Sequence, residues 1–160
     1  LAEAERRVQA IATVHAALSQ NVDESVDFDE VARTIVRMAG AIASTDHGVE
    51  VITTGNFGTI SADQAQALAT VLNELVANSV EHGLADRDGR IEVCAQREGL
   101  SIKVTVADDG VGFVPGTPMS GLGTQIVHQM VRGELRGSIE WAPREGGGTL
   151  VTLWVNLDPA

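Results

Sequence analysis

Leu72-Asn-Glu-Leu-Val-Ala-Asn-Ser-Val-Glu-His-Gly83, followed later in the chain by Asp108-Asp-Gly-Val-Gly112, is the pair of segments on which the fold turns. The first reads as a helix. At about 100° per residue, Leu68, Leu72, Leu75, Val76 and Ser79 share one stripe, and Glu74, Asn78 and His82 fall in an adjoining arc of about 80°. Ser61 with Gln64 has the spacing of a capping box at the helix start, and Gly83 offers its stop. A carboxylate, an amide oxygen and an imidazole one turn apart aim hard donors and a proton carrier at one point, which suits a hydrated Mg²⁺ and a phosphate. The same spacing occurs on plain solvated helices, so the pattern alone leaves both readings open.

Residues 90–97 and 100–107 alternate apolar and polar, with Ile91, Val93 and Ala95 facing Ile102, Val104 and Val106 across a hairpin at Glu98-Gly99. The second strand runs into Asp108. A carboxylate at a strand end, followed by Gly110 and Gly112, can accept a hydrogen bond from an exocyclic amine while the backbone bends closely round a flat base. An acidic turn is the plain alternative. After the stretch 113–120, Gly121-Leu122-Gly123 opens a helix over 124–132, and the free amides of such a start suit phosphate oxygens. Glycines also precede helices that bind nothing. Strands at 138–142 and 149–156 close the chain, with Trp141 and Trp154 read as sheet packing. Gly148-Thr149 sets a small hydroxyl where it either reaches a base edge or merely starts a strand.

Toward the N-terminus, residues 1–20 form a helical arm in which Leu1, Ala4, Val8, Ile11, His15 and Leu18 recur in steps of three and four. This is a seam awaiting a partner helix, and His15 in it reads as a packed contact residue. The polar run 19–25 is the credible linker. Asp27 with Glu30 caps a second helix whose apolar face carries Phe28, Val31, Ile35, Met38 and Ile42. A short strand is expected at 49–53, and Gly55-Asn-Phe-Gly58 is expected to turn. The organisation expected is thus an arm and linker over 1–25 and one domain over 26–160.

Composition bounds the partners. Acidic residues outnumber basic ones 22 to 11, a net charge of -11 that repels phosphate backbones and anionic lipid surfaces. Arg6-Arg7 and Arg132 with Arg136 sit among glutamates and make no basic cluster, so no nucleic-acid partner is expected. Cys94, in a strand pattern, reads as an inert thiol, which suits a reducing compartment and a cytoplasmic location for this segment. No apolar run approaches the length of a bilayer span, and Leu1 begins mid-pattern with no signal-peptide layout, as in a piece of a longer protein.

The order of these segments resembles the GHKL family of ATPases with the Bergerat nucleotide-binding fold, and specifically the catalytic domains of bacterial sensor histidine kinases. Residues 72–83 are similar to their asparagine box, 108–112 to the first glycine box and 120–127 to the second, and the likeness covers about 26–156. The arm, over 7–18, resembles the second dimerisation helix of the HWE-like kinase group. The resemblance implies an α/β (α+β) two-layer sandwich, a mixed, mostly antiparallel sheet with helices on one face. It implies ATP and Mg²⁺ as ligands: Asn78 on the metal, Glu74 as base or water-polariser, and Asp108 on the adenine amine with Thr149 supporting it. Gly110 and Gly112 would shape the adenine pocket, Gly121, Leu122 and Gly123 would admit the phosphates, and His82 would lie near the phosphate tail. The γ-phosphoryl group would pass to a histidine on a phosphoacceptor helix outside this sequence, with a response regulator downstream and a homodimer as the full-length assembly.

Some positions depart from the family pattern. Asp109 stands where Asn is usual and Glu81 where a basic residue is usual; the lid over 113–120 is short, and Thr124-Gln125 replaces the usual continuation of the second glycine box. These departures predict a loosely held nucleotide. Two other classes share the boxes: a protein-serine kinase resembling anti-sigma factors, against which the seam on the arm argues, and a non-catalytic ATP-sensing module that signals by conformation.

Overall fold

The computed structural model describes residues 25–43, 48–84, 87–112 and 122–159, together with positions 5, 8, 9, 11, 12, 14, 15 and 18 of the helical arm. The linker residues 19–24 and the lid 113–120 expected above lie outside them.

The elements follow the chain as β1 (Ser25–Asp27), α1 (Phe28–Ala43), β2 (Val49–Asn56), β3 (Thr59–Ser61), α2 (Ala62–Asn78), a π-helical turn (Ser79–Gly83), β4 (Gly89–Glu98), β5 (Ser101–Asp108), α3 (Leu122–Arg132), β6 (Ser138–Pro143) and β7 (Thr149–Asn156). Five strands form one sheet in the order β2-β4-β5-β7-β6, in which β2 runs parallel to β4 and every other pair is antiparallel. β1 and β3 pair separately. This is the α/β two-layer sandwich expected of a Bergerat fold, with a mixed, mostly antiparallel sheet.

Alternation decides which face of the sheet is covered. Ile91, Val93 and Ala95 of β4, Ile102, Val104 and Val106 of β5, and Val151, Leu153 and Val155 of β7 are all buried, and register sets Val93 beside Val106 and Val106 beside Val151. Against this face lies α2, the central helix, with Leu68, Leu72, Leu75 and Val76 at most 1% exposed. Each such leucine contributes about 1.5–3 kcal/mol by leaving water. Ala65, Ala67 and Ala69 are buried too and let α2 lie close to its neighbours, α1 on one side and α3 on the other. Ser61 caps α2 by accepting a hydrogen bond from the Gln64 amide at 3.3 Å. Gln64 itself is fully buried: its Nε2 donates to the carbonyls of Glu134 and Asn156, and its Oε1 accepts from the Asp158 amide. One side chain thereby ties α2 to the turn after α3 and to the end of β7.

Several details differ from the expectation. β2 continues to Asn56, into the expected turn 55–58, and β1 and β3 are short strands that were not expected at 25–27 and 59–61; three-residue runs carry no readable alternation. Asp27 does cap α1, accepting from the Asp29 amide at 3.3 Å, but Asp29 rather than Glu30 makes the long-range contacts. Its Oδ1 and Oδ2 accept from the amides of Phe57 and Gly58, while Arg97 donates to the carbonyls of Phe57 and Thr59. Phe28 and Phe57 meet edge to face at 5.1 Å. The hairpin loop is Gly99-Leu100, with Glu98 opposite Ser101. On the arm, Val8, Ile11 and His15 are exposed, whereas Val14, outside the expected seam, is buried in the core cluster and Leu18 packs against it. Among the described residues no helix is long and apolar enough to cross a membrane.

Candidate nucleotide site

Asp108 is the last residue of β5 and stands opposite Ile91 in the row of side chains that faces the helices. Its carboxylate is therefore aimed into the covered face and is only 1% exposed. Oδ1 accepts from the Gly110 amide at 3.0 Å and from the Thr149 amide at 3.3 Å. Burial pushes its pKa up from the ordinary aspartate range and the adjacent Asp109 charge adds to this, while the two amides and Arg144 pull it down. Both amide bonds fall on Oδ1, which leaves Oδ2 as the oxygen that can accept from a ligand.

The backbone around this carboxylate is crowded in a way that requires glycine. Gly148 has φ +103, and a Cβ there would collide with the Asp108 carbonyl. Gly112 has φ +73, and a Cβ there would lie 3.1 Å from the Gly148 carbonyl oxygen. Two chain segments thus pass each other at bare-backbone distance beside a desolvated carboxylate, which suits a flat base sliding against peptide planes. Thr149 is buried and supports Asp108 through its amide.

α2 brings the second group. Glu74 is 2% exposed, Asn78 at the helix end is half-buried, and His82 is exposed. This grading departs from the regular helix expected through Gly83. The turn Ser79–Gly83 is π-helical, closed by the Leu84 amide on the Ser79 carbonyl at 2.7 Å. Such a turn advances less per residue than an α-helix, so the helical count that runs through Glu74 and Asn78 does not carry on to His82, which is exposed. Glu81 is half-buried in the same turn.

The ends of α2 and β5 meet. The π turn packs against β5, and both Leu84 and Asp109 crowd Gly89 at the start of β4. Asp109 faces away from Asp108's carboxylate: its Oδ1 accepts from the Arg90 amide at 2.8 Å, and its own amide donates to the Arg90 carbonyl. Of the phosphate-loop residues, Gly121 lies outside the described residues, Leu122 opens α3, and Gly123 is buried in its first turn with Thr124. Sequence reasoning missed Arg144, which donates to the Asp108 carbonyl at 3.5 Å and pairs with Glu92 at 3.8 Å, and it missed Gly148 as a close-approach residue. The run Gly146-Gly147-Gly148 was the available signal.

Among the described residues, no group of three or more His, Cys, Asp or Glu side chains could hold a metal ion. The donors present, Asn78 with Glu74 behind it, fit a Mg²⁺ that arrives with phosphates and keeps several waters, not one held in a protein cage. Two open hollows of about 470 and 460 Å³ lie elsewhere, the first containing Lys103 and Trp154 and the second His128 and Arg132; neither includes Asn78 or Asp108.

Residues 63–159 match the family described as histidine kinase-, DNA gyrase B-, and HSP90-like ATPase, and residues 1–42 match a family described as histidine kinase. The sensor histidine kinase PdtaS of Mycobacterium tuberculosis is 39% identical over 160 residues, 97% of this chain and 32% of that protein. A blue-light-activated histidine kinase of Rhizobium johnstonii is 28% identical over 139 residues, 85% of this chain and 38% of that protein. The chain thus spans about a third of the length of the curated relatives it matches. Among solved structures, the blue-light activated histidine kinase of Erythrobacter litoralis EL346 superposes with a TM-score of 0.79 at 20% identity, over 96% of this chain and 53% of that one. The ATP binding domain of PrrB from Mycobacterium tuberculosis does so with a TM-score of 0.65 at 19% identity, over 86% and 100%. The chain belongs to the histidine kinase-, DNA gyrase B- and HSP90-like ATPases, and within them it is a catalytic ATPase domain of the histidine-kinase kind.

Proposed function

We propose that this chain binds Mg-ATP for the autophosphorylation of a sensor histidine kinase, with the γ-phosphoryl group passing to a histidine outside the sequence. The observation that carries the reading is the buried Asp108 carboxylate, held by Gly110 and Thr149 amides beside glycine-only backbones, at the end of a strand that contacts the π turn following Asn78. In this reading Asp108 Oδ2 accepts the exocyclic amine of adenine, and Gly110, Gly112 and Gly148 let peptide planes lie against the base. Asn78 offers its amide oxygen toward the metal. Glu74, desolvated behind it, is placed to polarise or deprotonate a group at the phosphate end. The amides opening α3 near Leu122 and Gly123, with Gly121 before them, meet phosphate oxygens, and exposed His82 stands at the outer end of the tail. Mg²⁺ supplies charge neutralisation at the phosphates when bound, and the protein's share is positioning.

The arm and linker over 1–25 then belong to the dimerisation region of an HWE-like kinase, and 26–160 form the ATP-binding domain. The match to a histidine kinase family, which begins at residue 1 and runs on through 42, and the apolar pair Val8 and Ile11 left exposed on the arm favour a dimerisation role for the arm. A homodimer, a response regulator as the next phosphate acceptor and a cytoplasmic location for this domain follow from it.

Calorimetric titration with Mg-ATP tests the site: micromolar-range heats for the wild type and their loss in folded Asn78→Ala and Asp108→Ala are expected. Saturation of both variants at the wild-type midpoint would remove the assignment. Radiolabel transfer in the full-length protein, read as acid-labile phosphohistidine rather than acid-stable phosphoserine, separates this reading from a serine kinase; no transfer at all leaves an ATP-sensing module.

A further inference from the structure

We propose that Leu84 is a positioning residue for Mg²⁺-dependent nucleotide binding: seated on Gly89 beside the Asp109 carboxylate, it sets the separation between the Asn78 end of α2 and the Asp108 end of β5. The proposal rests on the nucleotide reading above and deepens it.

A π turn is wider than the α-helix it continues, and such turns are rare and frequent at functional sites. Here the turn Ser79–Gly83 follows Asn78 directly and closes on Leu84. Leu84 is 1% exposed, and its two methyl groups occupy the space that any side chain at Gly89 would need. Asp109 Oδ1 lies 2.8 Å from the same point. The residue after the helix turn and the residue after the strand therefore converge on the open side of one glycine.

Gly89 is a fixed reference. Its amide donates to the Gly48 carbonyl at 3.2 Å, and the Gly48 amide donates back to Asp88 Oδ1 at 2.7 Å, which pins the start of β4 to the start of β2. One residue on, Arg90 and Asp109 exchange two hydrogen bonds that extend the β4–β5 ladder past its last register pair. The strand side of the contact is thus tied down by the backbone, and Leu84 is the part that transmits the tie to the helix. Asp108 does not depend on Leu84, because its carboxylate is held by Gly110 and Thr149. Removing the Leu84 side chain should free the π turn, and Asn78 with it, while leaving the adenine end in place.

That separation gives a readout a general packing role would not produce. Wild-type chain, Leu84→Ala and the conservative Leu84→Met are titrated with ATP in Mg²⁺ and with ADP in EDTA, alongside thermal melts. For Leu84→Ala we expect Mg-ATP affinity to fall tenfold or more. Metal-free ADP affinity should stay within twofold, and Leu84→Met should recover most of the loss. Equal losses on both ligands, or none on either, in a folded variant would overturn the proposal. Should Leu84→Ala melt below the assay temperature, Leu84→Val is read in its place, and unfolding of that variant as well would make Leu84 plain core and likewise overturn it. Failure of the underlying site reading looks different: the wild type would then show no Mg²⁺ enhancement, or Asn78→Ala would retain it.

Discussion

Asp108→Asn separates what this site does for a ligand from what it costs the fold. In the wild type Oδ1 accepts two amides, so an asparagine keeps those bonds by leaving its oxygen there and turning Nδ2 to the place of Oδ2. The ligand-facing atom then changes from acceptor to donor. Losing a charge-assisted hydrogen bond from the adenine amine removes about 1.5–3 kcal/mol, and setting two donors face to face in a dry site adds about 1–3 kcal/mol. The sum, about 2.5–6 kcal/mol, corresponds to a drop in ATP affinity of roughly sixtyfold to twenty-thousandfold. Stability should move the other way. Because burial raises the folded-state pKa of Asp108 above 3.8, the folded chain binds a proton more tightly than the unfolded one in the window from 3.8 to that raised value. The contribution of this group is thus most favourable below 3.8 and is lost as pH rises through the folded pKa. At pH 7 the neutral asparagine carries no such penalty. Calorimetric titration at pH 7, with denaturant melts at pH 4 and pH 7, checks both halves: ATP binding lost, the variant at least as stable as wild type at pH 7, and a smaller advantage at pH 4. Guanine presents an acceptor where adenine presents its amine, so the ratio of ATP to GTP affinity should also narrow or invert. Wild-type ATP affinity in the variant, or a loss of more than about 2 kcal/mol of stability at pH 7, would refute the reasoning.

Other substitutions report on the frame around the site. Gly148→Ala forces a side chain at φ +103 into the Asp108 carbonyl and should cost about 2 kcal/mol or more with loss of nucleotide binding, read by urea melts and titration. Gln64→Ala strands two carbonyls and an amide beside a cavity and should cost on the order of 3 kcal/mol, seen as a shift in denaturant midpoint without change in slope. Ser61→Ala removes the cap of α2 and should cost about 1 kcal/mol in the same assay while nucleotide affinity is retained. Asp29→Ala frees the amides of Phe57 and Gly58 and should cost about 1–3 kcal/mol, with faster amide exchange at those two residues.

The layers of the fold were legible because they rest on periodicity. Alternation in 90–97 and 100–107 marked the buried face of β4 and β5, and the stripe through Leu68, Leu72 and Leu75 marked the central helix, since both patterns repeat over enough residues to be unambiguous. Asp108 with its glycines was legible as a turn that could admit a ligand, and the structure brings Gly110 and Thr149 to it. What escaped depends on contacts far apart in sequence or on single residues. The π turn is invisible to a 3.6-residue count, so the count that set His82 in the arc of Glu74 and Asn78 does not apply beyond Asn78. β1 and β3 are too short for a pattern, and Asp29 and Arg97 hold the turn at Phe57–Gly58 that leads into β3. Asp109 stood out in the sequence only as a departure from Asn, and its place as the acceptor of the Arg90 amide, the next rung of a ladder, depends on a strand nineteen residues away. Neighbours in space, not in sequence, determine each of these.

The grip on the first strand bears on how force travels through the protein. Ser25–Asp27 is stitched along β3, Phe28 is wedged against Phe57, and the Phe28 amide is bonded to the Gly58 carbonyl. A tug or twist delivered from upstream therefore arrives at the Phe57–Gly58 corner, which Arg97 couples to the far end of β4, before it can unwind α1. The domain is handled by its sheet rather than by its leading helix, so a rotation imposed there would carry the whole platform as one piece.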